Sequence, residues 1–182
     1  MLKFSLHNGS KPLPLLGLLM VSQVGLMTAC TSQLQCLKDT KQCSECDLRK
    51  ADLRGLDLQG ANLQAADLKF ANLAGTNLQK ANLSAANLQA ADLSEANLAE
   101  ANLQKARLFL TQLEKANLEE AQLEGANLGF ADLTDAKISE EQLQQALLCS
   151  TTLPDGSKSK PRRSALRRLH SEHCLVSFKR CN

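Results

Sequence analysis

Hydrophobic and polar positions along this chain recur with a period of five. From Cys46 to Glu140 the pattern reads Ala-(Asp/Asn)-Leu-x-x. Leu48, Leu53, Leu58 and every fifth residue onward to Leu133 are leucine, and Ile138 closes a series of 19 repeats. Residue preference points elsewhere, because Ala, Leu, Gln, Glu and Lys are strong helix formers. At roughly 100° per residue, however, a five-residue step turns ~140°, so the leucines would scatter around a helix instead of forming one stripe. A continuous strand fails as well, since an odd period puts successive leucines on opposite faces. Only inside one repeat do the Ala and the Leu two residues later share a side, as in a short extended segment. The chain must therefore bend between repeats, and about four bends of one sense close a coil of ~20 residues that stacks on the next at ~4.8 Å.

These repeats resemble the pentapeptide-repeat family. The resemblance implies an all-β solenoid, a right-handed quadrilateral β-helix of about five coils with short α-helical caps, in which the central residue and the one two before it point inward. The second inward position is Ala except at Cys46, Leu56, Thr76 and Thr111. The residue before the centre is Asp or Asn except at Arg107, Gln112, Gln122 and Lys137, and in the family these rows are turn and surface residues. Small Ala lets facing walls approach while Leu fills the middle, leaving no bore for a ligand. A composition with 3% aromatics and neither Trp nor Tyr fits a packed rod better than an aromatic-rich core.

Both flanks read as covers for the ends of the rod. Residues 30–45 form an N-terminal cap segment, with a helix expected over Ser32 to Gln42 that offers Leu34, Cys36 and Leu37 for burial. Residues 141–154 form a C-terminal helical cap. There Ser139-x-x-Gln142 spells a capping box, Leu143, Ala146 and Leu147 share one side, and Pro154-Asp155-Gly156 signals the stop. Residues 155–182 are a basic, Cys-containing tail with a net charge of +6, against −5 for residues 46–140.

Residues 1–29 read as a signal peptide. Lys3 and Lys11 supply positive charge, and an apolar run extends from Leu13 to Ala29. Leu26-Met27-Thr28-Ala29-Cys30 resembles the bacterial lipoprotein signal, which implies lipidation of Cys30; plain cleavage and an uncleaved anchor are the alternatives. Export makes Cys36, Cys43, Cys46, Cys149, Cys174 and Cys181 disulfide candidates, with redox or zinc chemistry at Cys43-x-x-Cys46 as alternatives. Many exported cyanobacterial family members resemble the chain in its Cys43-x-x-Cys46-Asp47-Leu48 opening and Leu153-Pro154-Asp155-Gly156 close.

Reactive constellations are thin. No glycine loop, G-x-S-x-G or H-E-x-x-H occurs, and His170, His173 and Cys174 lie in the tail, so no catalytic, cofactor or metal residues are assigned. Folding the period on itself gives one outward column, Lys50, Phe70, Ala90, Leu110 and Phe130, with Phe109 at the same corner; the other three columns lack bulky apolar residues. Phe70, Phe109, Leu110 and Phe130 are therefore a candidate interaction stripe for an unidentified protein, for self-association or for the chain's own tail. The expected role is a non-catalytic structural or interaction module on the periplasmic side of a bacterial membrane, or in a thylakoid lumen. The alternative implied by the family is imitation of DNA at DNA gyrase; no nucleic acid partner is expected. Lipidation predicts that Cys30→Ser releases the protein from membranes or blocks processing. Metabolic fatty-acid labelling checks this, and a correctly processed protein without label selects plain cleavage.

Overall fold

The computed structural model describes residues 32–159. The leader, Cys30 and the tail residues Cys174, Cys181, His170 and His173 lie outside the described residues.

Each five-residue repeat builds one side of a square coil. The residue before each centre pairs in parallel with the residue twenty further on, from Gln42↔Asn62 and Asp47↔Asp67 to Asn117↔Lys137, then Asn127↔Leu147 and Asp132↔Thr152. The Leu48 N–H donates to the Asp67 carbonyl at 2.8 Å, and the Asp67 N–H donates to the Cys46 carbonyl at 2.8 Å. Between sides, the Ala51 N–H donates back to the Leu48 carbonyl at 3.1 Å. This closes a β-turn whose third residue, Lys50, has φ of 59°. Every corner repeats that left-handed residue. Gly55, Gly60, Gly75 and Gly125 take it without strain, whereas the other corners hold ordinary residues at a cost of roughly 1 kcal/mol each.

Inside the coils the central Leu side chains and the Ala residues two before them are buried together as one core. Thr76 and Thr111 occupy the inward Ala position without leaving a hydroxyl unpaired. Their Oγ1 atoms donate to the Leu53 and Leu88 carbonyls at 2.8 and 2.9 Å, using the second lone pair of a turn carbonyl. The Asp/Asn columns are more than a solvated row. Each side chain accepts from the backbone N–H two residues on, as Asp57 does from Gln59 at 3.2 Å and Asn102 from Gln104 at 3.0 Å. Amides also bond up the stack, with Asn77 Nδ2 donating to Asp57 at 2.9 Å and Asn97 Nδ2 to Asn77 at 3.3 Å.

The caps differ from expectation in extent. Helix α1, Gln33–Thr40, is capped by Ser32 and buries Leu37; it stops two residues short of Gln42, with its C-cap Lys41 in the left-handed region. Gln42 already pairs with Asn62, and Cys43 fills a central inward position, so the ladder starts one repeat before residue 46. Cys43 and Cys46 flank that first corner where other coils place Leu and Ala. Both point inward, and they are bonded to each other with Cα atoms 5.3 Å apart. Cys36 and Cys149 are disulfide-bonded as well.

At the other end, helix α2 spans only Glu140–Gln145. Ala146 is its C-cap, and Leu147 returns to the ladder opposite Asn127, so neither belongs to a helical cap face. The helix replaces one side of the last coil, after which Leu148 and Thr151 resume inward positions in register. Gln142 makes this possible. Its Oε1 accepts from the Ser139 N–H at 2.9 Å while its own N–H donates to Ser139 Oγ at 3.2 Å. Its Nε2 donates to the Leu118 and Ala121 carbonyls at 2.7 and 2.8 Å, so the side-chain amide stands in for the missing ladder N–H.

Gln142→Glu keeps the capping acceptor but sets a carboxylate against two carbonyls. It is expected to cost about 2 kcal/mol in denaturant unfolding, whereas exposed Gln144→Glu should stay within about 0.5 kcal/mol.

Candidate functional site

With four sides per coil, the sides carrying Leu48, Leu68, Leu88, Leu108 and Leu128 stack as side 1, and those carrying Leu53 to Leu133 at steps of twenty stack as side 2. The corner between them bears Lys50, Phe70, Ala90, Leu110, Phe130 and Ser150, all left-handed with φ from 52° to 61°. Phe70 and Leu110 are 52% and 50% exposed, the large hydrophobics most open to solvent among the described residues. Neither contributes to the core. A bulky apolar group in water at a strained corner, where glycine serves elsewhere, costs stability without a packing return.

The stripe has two parts. Phe130 and Phe109 are half-buried against each other, edge to face, with ring centroids 5.4 Å apart. They close over Gly129, where an added Cβ would lie 3.1 Å from Phe109 Cδ2 and 3.2 Å from Asn127 Oδ1. The glycine thus makes room for the aromatic pair. The sequence held this signal in its twenty-residue column, which places Gly129 one coil after Phe109. Phe70 stands apart beyond small Ala90, with Lys69 Nζ 5.1 Å from its ring centroid.

Charge differs along the two sides. At the front of the rod Arg49 lies 2.5 Å from Asp47 and 3.7 Å from Asp67, and Arg54 lies 2.8 Å from Asp52. Hydrogen bonds from Arg49 and Arg54 hold the Asp47 and Asp52 carboxyls at about 2. These pairs are exposed and screened, so they orient surface charge more than they stabilise. Further back, side 2 gathers Asp92, Glu95, Glu114, Asp132 and Asp135 around Lys115.

A recess of about 590 Å³ opens where α2 leaves the ladder and is lined by Glu119, Glu120, Lys137, Ile138, Ser139 and Gln142. The Ser139 hydroxyl is committed to capping, so no nucleophile is poised there. Among the described residues no three His, Cys, Asp or Glu side chains converge on a metal position. No helix among them is long and apolar enough to cross a membrane.

A stacked square coil with inward Leu and Ala defines a solenoid class, and known proteins place the chain within it. The model for pentapeptide repeats matches with eight copies over residues 42–79, 76–113 and 111–153, more than half of the chain. The chain belongs to the pentapeptide-repeat family, whose members fold as right-handed quadrilateral β-helices and generally serve as structural or interaction modules. The match begins at residue 42 and runs to 153, as the ladder does. Among solved structures, HetL of the cyanobacterium Nostoc, involved in heterocyst differentiation regulation, is 30% identical, with 65% of this chain and 70% of that one covered at a TM-score of 0.42. Rfr23 of the cyanobacterium Cyanothece is 26% identical over 70% and 97%, TM-score 0.46. A pentapeptide repeat protein of the Arabidopsis thaliana thylakoid lumen is 29% identical over 66% and 91%, TM-score 0.34. No match was found among curated proteins.

Phe70→Gly with Leu110→Gly is expected to leave rod stability unchanged or raise it by up to about 2 kcal/mol, as left-handed strain is relieved. Gly129→Ala should lower it by roughly 1–3 kcal/mol by displacing Phe109. Denaturant unfolding measures both, and a loss above ~1 kcal/mol from the glycine pair would make those side chains structural.

Proposed function

We propose that this chain is a non-catalytic interaction module, exported to the periplasmic side of a bacterial membrane and held there by lipid on Cys30, which contacts its target through the corner of Phe70, Leu110 and Phe130. The observation that carries this reading is the pair of half-exposed apolar side chains held in left-handed backbone on an otherwise polar rod. Two features support export: the leader pattern ending at Cys30, and the Cys43–Cys46 bond, which suits an oxidising compartment. The filled Leu/Ala interior supports a non-catalytic role, because it leaves the outer surface as the place to act. A thylakoid lumen would satisfy the same features. Imitation of DNA at gyrase would need a strongly acidic rod, and residues 46–140 hold nine basic against fourteen acidic side chains.

Phe70→Ser with Leu110→Ser is expected to change the sedimentation, the crosslinked partner set or the tail accessibility of the protein in native membranes while the β-helix circular dichroism persists. A double variant identical to the parent in all three removes the contact surface. Inhibition of gyrase supercoiling by the purified mature protein would replace this reading with DNA imitation.

A further inference from the structure

The path of the chain past the last coil points to an occupant for the stripe. After Thr152 the backbone turns back, and Lys158 pairs antiparallel with Thr152. The Ser159 N–H donates to the Thr151 carbonyl at 2.8 Å, and the Thr151 N–H donates to Ser159 Oγ at 3.0 Å. Thr151 comes directly after Ser150, and Ser150 is the next member of the column Phe70, Ala90, Leu110, Phe130. The chain is therefore delivered, at residue 159, beside the end of the corner column that carries the apolar stripe, two ladder steps beyond Phe130.

The remaining sequence is complementary to that corner and to the side next to it. Residues 160–182 carry seven Lys/Arg against Glu172, and they interleave these with Leu166, Leu169, Leu175 and Phe178. Side 2, which adjoins the corner, and its far corner present Asp92, Glu95, Glu114, Asp132 and Asp135 against Lys115 and Lys158. Reach is ample. From residue 159 to Phe70 is five ladder steps, ~24 Å, and even a compact segment of about sixteen residues at ~1.5 Å each covers that. Cys149, which stands on side 1 one coil after Gly129, is disulfide-bonded and is not the partner of Cys43 or Cys46.

We propose that residues 160–182 dock in cis along the corner between sides 1 and 2, their leucines on Phe130, Leu110 and Phe70 and their arginines against the carboxylates of side 2. This rests on reading the corner as a contact surface and names its occupant. The tail then shields the corner from water, and an outside partner reaches Phe70 and Leu110 only by displacing it.

Limited trypsin digestion of the full oxidised chain tests the proposal through cleavage at Arg162, Arg163, Arg167 and Arg168, read by mass spectrometry after reduction. Cleavage should be slow in the parent and roughly tenfold faster in Phe70→Ser with Leu110→Ser, because proteolysis of a docked segment tracks its open population. It should also speed up at ~0.5 M salt, which screens the arginine contacts. Carbodiimide coupling of mixed heavy and light protein should join Lys160 or Lys179 to a side 2 carboxylate within one chain only. Rapid cleavage in the parent, cleavage unchanged by the double variant, or heavy–light crosslinks from a second copy each overturn docking in cis. A double variant that alters sedimentation or crosslinked partners with tail cleavage unchanged removes the tail but keeps the contact surface.

Discussion

The structure depends on one constraint: backbone groups about twenty residues apart must bond to each other on the four sides of the stacked coils, save where α2 replaces one side of the last. A ladder of that kind fixes the pitch at ~4.8 Å and demands a corner at each fifth residue, whatever side chain stands there. That is why Lys80, Glu95, Glu100 and Phe70 all adopt φ near 60°, a region that a lone residue of their types rarely visits. The strain at one corner is over-determined by a hydrogen bond to the next coil and one across the turn itself, as Lys50 N–H to the Lys69 carbonyl and Ala51 N–H to the Leu48 carbonyl illustrate. Sequence preference for helix loses to this cooperative ladder, because Leu and Ala at period five cannot share a helical face.

The same repeat imposes a rule on polar residues. A side chain before the centre sits above its equivalent in the neighbouring coil, so identical charges would stack at ladder spacing. On side 2 the column reads Asp52, Asn72, Asp92, Gln112, Asp132, Thr152, alternating a carboxylate with a neutral group. On side 3 Asp57 is succeeded by Asn77, Asn97 and Asn117, and the amides donate up the stack. On side 1 Asp47 and Asp67 do stack as like charges, and Arg49 reaches both. Choosing between Asp and Asn is thus a matter of electrostatics along the rod axis, invisible in the five-residue motif and plain at twenty.

Much of the fold was legible because a period is a long-range signal carried by local residues. The inward Leu and Ala positions, the capping box at Ser139 and Gln142, and the outward column of Phe70 and Leu110 all come from counting. The ends were harder to read. Cys43 replaces a leucine in a repeat that lacks Ala as well, so the first coil hid behind composition, although its ladder partner Asn62 is ordinary. At the far end Leu143, Ala146 and Leu147 have helical spacing, yet Leu147 belongs to the ladder. The coil below offers Asn127 a partner, and that gain outweighs one more turn of an exposed short helix. The pairing of Phe109 with Phe130 escaped for a different reason: its signal, Gly129 one coil after Phe109, shows only in the twenty-residue column and not in the five-residue hydropathy pattern.

A solenoid of this kind separates what folds it from what it does. Inward positions and turns specify the rod; outward positions are free to vary, which is why family membership says little about a partner. The informative outward residues are those that oppose the fold. Glycine at a corner is explained by backbone geometry, and lysine or glutamate by solvation, whereas phenylalanine at φ of 61° is explained by neither. At Phe70 and Leu110 the chain accepts strain and exposed apolar surface together, and the ladder alone gives no reason for either. The backbone brings residue 159 back to the same corner. Two independent features, an uncompensated apolar corner and a chain path that returns beside it, therefore meet on one edge of the rod, and the ladder accounts for neither.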